Sequence, residues 1–442
     1  MTPLLPNPAV RLEARLFGPV DGDVRRTHFV LAWHPEVAAW LLTILEFILY
    51  RQGRLAEERA IGAPPGGATL ERLVAGGVIL SSRRPDGGEA LRLNPGFQAT
   101  LFVSARVPGG PARETTFALG DDTDLARWLL DGVLAPGSRQ APPPATPLAD
   151  ALVRHGLLVT TLPAPAACLP DPAATARERD DVLATAGRVI TQAAGTPVPR
   201  EVRELLGRHV PPVPAGIGLW WAVDAGSGVV IPVTAGATPP APGYQGAAAA
   251  GRARDWAATE AAAADSLKSR RHATLRAILA PGPRESLRRY VRALVDRGYF
   301  PALGDGQVEL RAAIHNEPAV ASLHQALAAI VSRVAGEPLL ASYCYLSCYE
   351  AGATLPPHKD RPQCSYNLSL VLDMQGPTGE PEPWPIWLEV EGRPEAVLLA
   401  VGDGLTYSGT ELLHWREALP AGHRALVCFF HFVPTGFGGS LD

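Results

Sequence analysis

The chain has 442 residues, 47% of them hydrophobic, and its 40 lysines and arginines nearly balance its 44 aspartates and glutamates. Since a domain takes about 100–200 residues, this length predicts two to four domains with sizeable cores. The formal net charge of −4 excludes a protein-wide positive field that would attract a polyanion, so nucleic acid is not an expected partner. Nine tryptophans and eleven phenylalanines indicate globular domains, while 44 glycines and 44 prolines favour loops between them.

Targeting and redox features favour a cytoplasmic protein. The amino-terminal stretch "MTPLLPNPAVRLEARLFG" lacks the basic start, apolar core and cleavage site of a signal peptide. The most apolar window, residues 37–50, is too short to cross a bilayer and contains Glu46, so it predicts a buried helix. Five cysteines spread over the chain suit a reducing compartment better than a disulfide framework. We expect a soluble, cytoplasmic protein without a membrane partner.

The first third of the chain contains a weak internal repeat. The stretch "FVLAWHPEVAAWLL" aligns without gaps on "FALGDDTDLARWLL", and the copies end similarly in "LVAGGVIL" and "LVRHGLLV". Each copy predicts a strand, an amphipathic helix, and a later helix that breaks at a glycine into another strand. We assign the modules to residues 1–112 and 113–165; their order of elements resembles winged-helix modules. Docking of a peptide or carrier protein, dimer formation, DNA reading and a purely structural role all stay open for them.

The middle of the chain contains strands and a connector. A strand within residues 92–108 is expected to link the two modules. Residues 166–255 form the next segment, in which "GLWWAVDAGSGVVIPV" predicts a β-hairpin that turns at "DAGSG". Its two tryptophans, Trp220 and Trp221, are interpreted as core residues. The stretch 235–254 is rich in Pro, Gly and Ala, which indicates a boundary or loop before a last domain at 256–442.

An arginine-rich stretch opens this last domain. Residues 268–297 carry eight arginines, and "SLRRYVRALVDRGYF" has helical apolar spacing, which predicts one amphipathic helix with a cationic outer face. That face is either simply solvated or a docking strip for an acidic peptide or carrier protein. A further helix is predicted at 318–336.

Four polar residues near the carboxyl terminus form a pattern with chemical meaning. His358 and Asp360 are two residues apart and share one face if the backbone is extended. His414 follows a Gly-Asp-Gly turn, and Arg424 begins an apolar run ten residues later, so a hairpin would bring its guanidinium beside the His414 strand. Two imidazoles and one carboxylate on one side of Fe(II) leave positions open for a chelating co-substrate and O2. An arginine can then hold a distal carboxylate.

These residues resemble the 2-oxoglutarate and Fe(II)-dependent dioxygenases, with most similarity to the prolyl 4-hydroxylase-like branch. The stretches "CYEAGATLPPHKD" and "VGDGLTYSGTELLH" are similar to the segments around that family's first and second metal-binding histidines. The resemblance covers about residues 340–434, so it concerns the carboxy-terminal domain only. It implies that this last domain is a double-stranded β-helix, or jelly-roll, with supporting helices. With the winged-helix-like repeat region that precedes this domain, the expected fold class of the chain is α+β.

The resemblance also implies cofactors, ligands and a reaction. His358, Asp360 and His414 would be catalytic metal ligands for Fe(II), and Arg424 would bind 2-oxoglutarate. Tyr349 and Tyr366 are candidates to hydrogen-bond the co-substrate. With O2, and ascorbate as a candidate reductant, the reaction would convert 2-oxoglutarate to succinate and CO2 and hydroxylate an unactivated C–H bond. The carboxylate ligand favours hydroxylation over halogenation, while dealkylation, desaturation and ring formation stay open.

Alternative functions follow from the same residues. The length of the chain outside the barrel favours a peptide or an amino-acid-derived substrate. A nucleic-acid oxidative dealkylase would share the catalytic core, and a binding or regulatory protein with a vestigial barrel is the non-enzyme alternative. Zinc is a weak rival metal, because the four cysteines of the domain lack paired spacing and are expected to be buried thiols: Cys344, Cys348, Cys364 and Cys428.

Overall fold

The computed structural model describes residues 5–7, 10–31, 34–83, 89–105, 107, 113–134, 142, 146–159, 176–207, 210, 216–235, 240–241, 243–300, 304, 307–378, 382–439 and 441. The chain divides into two compact units, one over residues 1–160 and one over 161–441. The finer division into four segments stays a prediction. Among the helices in the described ranges, none has both the length and the apolar composition that crossing a bilayer requires.

The first unit is a mixed α and β structure. In chain order its elements are β1 (Leu5–Pro6), β2 (Val10–Val20), β3 (Asp23–Val30), α1 (Pro35–Arg51), α2 (Gly67–Ala75), β4 (Ile79–Arg83), β5 (Glu89–Leu93), β6 (Gln98–Ala105), β7 (Arg113–Ala118), α3 (Thr123–Leu134), α4 (Pro147–Arg154) and β8 (Leu158–Val159).

A four-stranded antiparallel sheet joins the two sequence copies of this unit, in the order β3-β2-β6-β7. Strand β3 leads into α1 in the first copy, and β7 leads into α3 in the second. Helix α2 ends before Gly76 and is followed by β4, while α4 is followed by Gly156 and β8. The predicted order of elements is therefore present in both copies. The predicted linking strand is β6, because it pairs with both β2 and β7. The likeness to winged-helix modules stays a prediction.

Helix α1 forms because its apolar residues recur with helical spacing. Val37, Leu41, Ile44 and Leu45 are all buried on one side of it. This face packs against α3, which contributes Leu129 to the same core. The predicted buried helix at residues 37–50 is thus confirmed.

The second unit holds the remaining elements. In chain order they are α5 (Ala176–Ala184), β9 (Ala186–Gln192), α6 (Arg200–Leu206), β10 (Leu219–Asp224), β11 (Val230–Thr234), α7 (Ala249–Arg270), β12 (His272–Leu275), α8 (Pro281–Asp296), β13 (Arg311–His315), α9 (Pro318–Ala321), α10 (His324–Ala335), β14 (Leu339–Glu350), β15 (Leu355–His358), β16 (Tyr366–Gln375), β17 (Ile386–Val390), β18 (Arg393–Val397), β19 (Gly404–Ser408), β20 (His414–Arg416) and β21 (Arg424–Pro434).

The predicted hairpin is confirmed as the antiparallel pair β10–β11. Asp224 closes its turn by accepting hydrogen bonds from the backbone N–H groups of Gly226 and Ser227, at 3.0 and 2.7 Å. Both tryptophans are buried as predicted, and Trp221 Nε1 donates to Gln192 Oε1 on β9 at 2.9 Å.

The prediction of one arginine-rich helix over residues 268–297 is wrong. Helix α7 ends at Arg270, Arg271 adopts a left-handed conformation with φ of 62°, and β12 then pairs with β19 before α8 begins at Pro281. The arginines of α8 also do not form a free cationic strip. Three of them contact buried carboxylates: Arg288 and Arg292 bind Asp373, and Arg289 binds Glu178.

Two facing antiparallel sheets form the core of the second unit. The six-stranded sheet has the order β12-β19-β16-β21-β14-β13, and the four-stranded sheet has the order β15-β20-β17-β18. From β14 onward the chain alternates between them, except that β17 and β18 follow each other in the four-stranded sheet, and α8 and α10 cover the six-stranded sheet. Their inner faces meet where Tyr349 contacts Trp384 and where Tyr407 contacts His414, with ring centroids 5.1 and 4.9 Å apart. This arrangement is a jelly-roll.

Candidate metal centre

The three predicted metal ligands lie together at one end of the four-stranded sheet. His358 ends β15 and His414 begins β20, and the two residues are directly opposite each other in the antiparallel register. Asp360 follows two residues after His358, and its backbone N–H donates to the carbonyl oxygen of Gly409 at 2.8 Å. The local strand pairing therefore brings side chains 56 positions apart in the chain to one point.

The geometry of the three side chains suits a metal ion. One ligand atom from each of His358, Asp360 and His414 lies within 4.8 Å of the others. His358 Nε2 is 3.4 Å from Asp360 Oδ1, and His414 Nε2 is 3.4 Å from Asp360 Oδ2. Within the described residues, this is the only such group of three or more His, Cys, Asp or Glu side chains. The four predicted buried thiols are buried and free.

Backbone carbonyls hold both imidazoles in the orientation that metal binding requires. His358 Nδ1 is 2.8 Å from Pro356 O, and His414 Nδ1 is 3.0 Å from Leu412 O. A carbonyl oxygen only accepts, so each Nδ1 carries a hydrogen, and each Nε2, which is directed towards Asp360, has a lone pair available when its ring is neutral. Such contacts fix the tautomer and ring plane of metal-binding histidines.

The charge states are also those of a metal ligand set. Burial alone would raise the pKa of Asp360, but the neighbouring imidazoles of His358 and His414 outweigh it and lower this pKa to about 2. Burial lowers the pKa of His414, and the charge of Asp360 offsets only part of that effect. At neutral pH the site therefore offers a carboxylate and a neutral imidazole, the forms that bind a cation.

The structure does not bring Arg424 to this group. Its Nε donates to Glu350 Oε1 at 2.8 Å, and Glu350 is its direct partner in the β14–β21 register. Tyr349, the neighbour of Glu350, faces the barrel interior, where it contacts Trp384. Because successive residues of a strand point to opposite faces, Glu350 and Arg424 lie on the outer face of the sheet.

The two predicted tyrosines lie on opposite faces. Tyr349 is fully buried inside the barrel, and its hydroxyl accepts a hydrogen bond from Arg311 Nη1 at 3.0 Å. Tyr366 Oη donates to Glu337 Oε1 at 2.7 Å, whereas the next residue of its strand, Asn367, contacts Asp360. The alternation along β16 therefore turns Tyr366 away from the metal ligands.

A residue that the sequence reasoning missed, Arg416, lies on the inner face. It follows His414 by two positions in β20, so both side chains point the same way. Arg416 is 2% exposed, its Nη1 donates to Trp384 O at 2.8 Å, and its guanidinium carbon is 4.6 Å from the centre of the Trp384 ring. Among the described residues its Nε and Nη2 find no hydrogen-bond partner. The signal in the sequence is the spacing His-X-Arg on one strand.

The electrostatic environment of Arg416 favours an incoming anion. Burial lowers the pKa of Arg416, and the two groups that act against this effect are the phenols of Tyr349 and Tyr407. A guanidinium still keeps its charge inside a protein. A buried cation with two unused donors has a free-energy cost that a bound carboxylate would offset.

Comparisons with known proteins find similarity to solved structures but no match among family models or curated proteins. No model of a known protein family matches the chain, and no curated protein matches it. Among solved structures, it is similar to a Pseudomonas putida prolyl-4-hydroxylase, with 17% identity and a TM-score of 0.33, over 40% of this chain and 100% of that chain.

Two further solved structures are of related kinds. One is the epimerase SnoN from nogalamycin biosynthesis in complex with Fe3+ and alpha ketoglutarate, with 14% identity and a TM-score of 0.34, over 41% of this chain and 88% of that chain. The other is a Trichoplax adhaerens prolyl hydroxylase in complex with a peptide fragment of hypoxia inducible factor. It has 15% identity and a TM-score of 0.34, and the match covers 40% of this chain and 92% of that chain. These structural neighbours are 2-oxoglutarate and Fe(II) oxygenases, which are oxidoreductases.

Proposed function

We propose that the chain is an Fe(II)- and 2-oxoglutarate-dependent oxygenase that hydroxylates an unactivated C–H bond. The observation that carries this proposal is the juxtaposition of a metal-ligand set with a buried guanidinium, joined through His414 and Arg416 on one strand. The distance between alternate residues of a strand, about 7 Å, is suited to a small dicarboxylate that binds a metal at one end and an arginine at the other.

The residues present fit both groups. His358, Asp360 and His414 supply two imidazoles and one carboxylate, a donor set typical of non-haem Fe(II) with open coordination positions. Arg416 supplies a planar fork of donors for the far carboxylate of 2-oxoglutarate. This assignment replaces Arg424, whose guanidinium pairs with Glu350 on the other face of the sheet.

Each group of the chain would have a distinct task in the reaction. When bound, Fe(II) with 2-oxoglutarate and O2 supplies the oxidising power, and the co-substrate leaves as succinate and CO2. Arg416 would orient the co-substrate and balance its negative charge inside the barrel. Burial raises the pKa of Tyr407, so its phenol would stay neutral and would not repel a carboxylate bound to Arg416.

The substrate class we propose is a peptide or an amino-acid-derived compound. The support is the separate first unit of about 160 residues, which holds its own core and exceeds what a hydroxylase of a free small molecule needs. The nucleic-acid dealkylase alternative loses its main support, because the arginines that favoured it contact carboxylates of the chain itself. Docking of the substrate or of a carrier by the repeat modules remains part of this proposal, as does a cytoplasmic location.

An anaerobic titration with Fe(II) and 2-oxoglutarate tests the proposal. The full chain is expected to develop the weak visible absorption band of an iron complex chelated by a keto acid, and His358→Ala is expected to abolish it. Consumption of 2-oxoglutarate in air, measured as succinate, provides a second readout. Absence of both the band and iron binding in the wild-type protein would contradict the proposal and favour the vestigial barrel.

A further inference from the structure

A buried amide lies directly behind the carboxylate of the candidate metal centre. Asn367 is the second residue of β16 and is fully buried. Its side-chain nitrogen donates to Asp360 Oδ2. The same carboxylate presents Oδ1 to His358 Nε2 and Oδ2 to His414 Nε2, each at 3.4 Å, and only Oδ2 also accepts the hydrogen bond from Asn367.

A histidine on the neighbouring strand fixes the orientation of this amide. His431 lies directly opposite Asn367 in the β16–β21 register, and its Nδ1 is 2.6 Å from Asn367 Oδ1. Because an amide oxygen can only accept, His431 must present Nδ1–H there. A flipped amide would set its oxygen against the Asp360 carboxylate, which can only accept. These two contacts together therefore direct the side-chain nitrogen of Asn367 towards Asp360.

The close packing around Gly409 independently supports the contact between Asn367 and Asp360. A Cβ added to Gly409 would lie 2.6 Å from Asp360 Oδ2 and would overlap the side-chain nitrogen of Asn367. The carbonyl of Gly409 also accepts the backbone hydrogen bond of Asp360 at 2.8 Å. Glycine at this position allows the amide and the carboxylate to meet.

The contact has a consequence for the coordination of a metal ion. A carboxylate that binds an octahedral ion through one oxygen leaves, with two imidazoles, three open positions, whereas one that binds through both oxygens leaves two. A chelating keto acid and O2 together need three open coordination positions. We infer that Asn367, oriented by His431, is a positioning residue that occupies Oδ2 of Asp360, so that the carboxylate binds metal through Oδ1 alone. This inference rests on the proposed function, because the need for three open positions comes from the proposed co-substrate and O2. Its test, however, measures only the metal site.

Mn(II) is a suitable probe, because relaxation of water protons reports how many water molecules the bound ion coordinates. The full-length wild-type protein is expected to hold three waters on Mn(II). Asn367→Leu has similar volume without a donor, and it is expected to lose about one third of that relaxation enhancement. Its Mn(II) dissociation constant is expected to rise about 10- to 100-fold, the usual effect of removing a partner of a metal ligand. Gly409→Ala is expected to act in the same direction and serves as the second variant if Asn367→Leu does not fold.

Two histidine variants separate positioning from general stability. His431→Asn keeps an N–H at the position of Nδ1 and is expected to retain the wild-type relaxation, whereas His431→Phe is expected to behave like Asn367→Leu. The control is Phe430→Leu, which changes a fully buried residue next to His431 on the opposite face of the same strand. It is expected to lower thermal stability without changing the relaxation. Wild-type relaxation and Mn(II) affinity in Asn367→Leu would overturn the inference while leaving the proposed function intact; a wild-type protein that binds no Mn(II) would overturn both.

Discussion

His414 and Arg416 project from the same face of one three-residue strand, and both are almost completely buried. The imidazole of His414 lies 3.4 Å from the Asp360 carboxylate, while the guanidinium of Arg416 rests on Trp384 deeper in the barrel. A candidate metal ligand and the proposed anion receptor are thus placed by a single local element. Since the positions of the two side chains depend on one strand, their separation is fixed by backbone geometry and not by a flexible loop.

Arg416→Gln is expected to weaken 2-oxoglutarate binding roughly 30-fold or more, because loss of one partner of a buried charge pair costs about 2–5 kcal/mol. Iron binding should persist, since the three metal ligands are unchanged. The measurement is the dissociation constant of 2-oxoglutarate from the iron-loaded protein, taken from the visible band.

Arg424→Gln is the matched control for this prediction. Its guanidinium is about one-third exposed and paired with Glu350, so its loss is expected to change 2-oxoglutarate affinity less than twofold. The opposite result, a strong effect of Arg424→Gln and a weak one of Arg416→Gln, would reverse the assignment of the anchor.

Metal binding is expected to stabilise the second unit. A ligand that binds only the folded state at 100 times its dissociation constant adds about 2.7 kcal/mol of stability. Fe(II) or Mn(II) should therefore raise the melting temperature of the wild-type protein, and a chelator should reverse the shift. His414→Gln should abolish the metal-dependent shift, whereas His423→Gln, which changes a histidine held by Ala421 and Glu382, should retain it.

The grouping of two of the candidate metal ligands could be predicted from the sequence because His358 and Asp360 are close in the chain. Two residues on an extended strand share a face, so His358 and Asp360 follow from spacing alone. The proposed anchor, Arg416, could not be predicted in this way. Ten residues separate His414 from Arg424 across a turn, and a shift of one residue in register moves a side chain to the opposite face of a sheet. Only the fold shows that the guanidinium of Arg416 lies near two phenols and over a tryptophan ring.

The same limit applies to the elements of the fold. Long periodic segments such as α1 and the β10–β11 hairpin carry enough pattern for prediction. Strand β12 has only four residues and lies between two helices, so its sheet contact with β19 outweighs the helical pattern around it. The pairing of arginines in α8 with Asp373 and Glu178 depends on tertiary contacts of residues more than 80 positions away.

Helix α8 is expected to depend on Asp373 for its attachment to the barrel. Asp373 is fully buried and accepts hydrogen bonds from Arg288 Nε and Arg292 Nε, both at 2.6 Å. Asp373→Asn would leave two guanidinium groups without their anion and is expected to lower the free energy of unfolding by about 2–3 kcal/mol, less than for a fully buried pair because the arginines are partly exposed. Glu285→Gln removes an exposed partner of Arg288 and should cost less than about 0.5 kcal/mol in the same denaturant titration. Equal effects of the two substitutions would contradict the predicted role of Asp373.

Glu317 is expected to make the stability of the second unit depend on pH between about 4.5 and 7. Its carboxyl is almost fully buried, accepting hydrogen bonds from Tyr290 Oη at 2.6 Å and from the Val320 backbone N–H at 2.9 Å. Burial raises the pKa of Glu317 to about 7, and the hydrogen bonds offset only part of this.

The sign of that dependence follows from proton linkage. The folded state holds the proton up to about pH 7, while the unfolded chain releases it near pH 4.5, so folding takes up a proton in this interval. The contribution is present in full below pH 4.5 and is lost as pH rises to 7, in total about 3 kcal/mol. Denaturant titrations of the wild-type protein and of Glu317→Gln from pH 4 to 8 measure it, and the variant, which cannot titrate, should lack this part of the slope. An identical pH slope in both proteins would show that the Glu317 carboxyl is already ionised inside the fold.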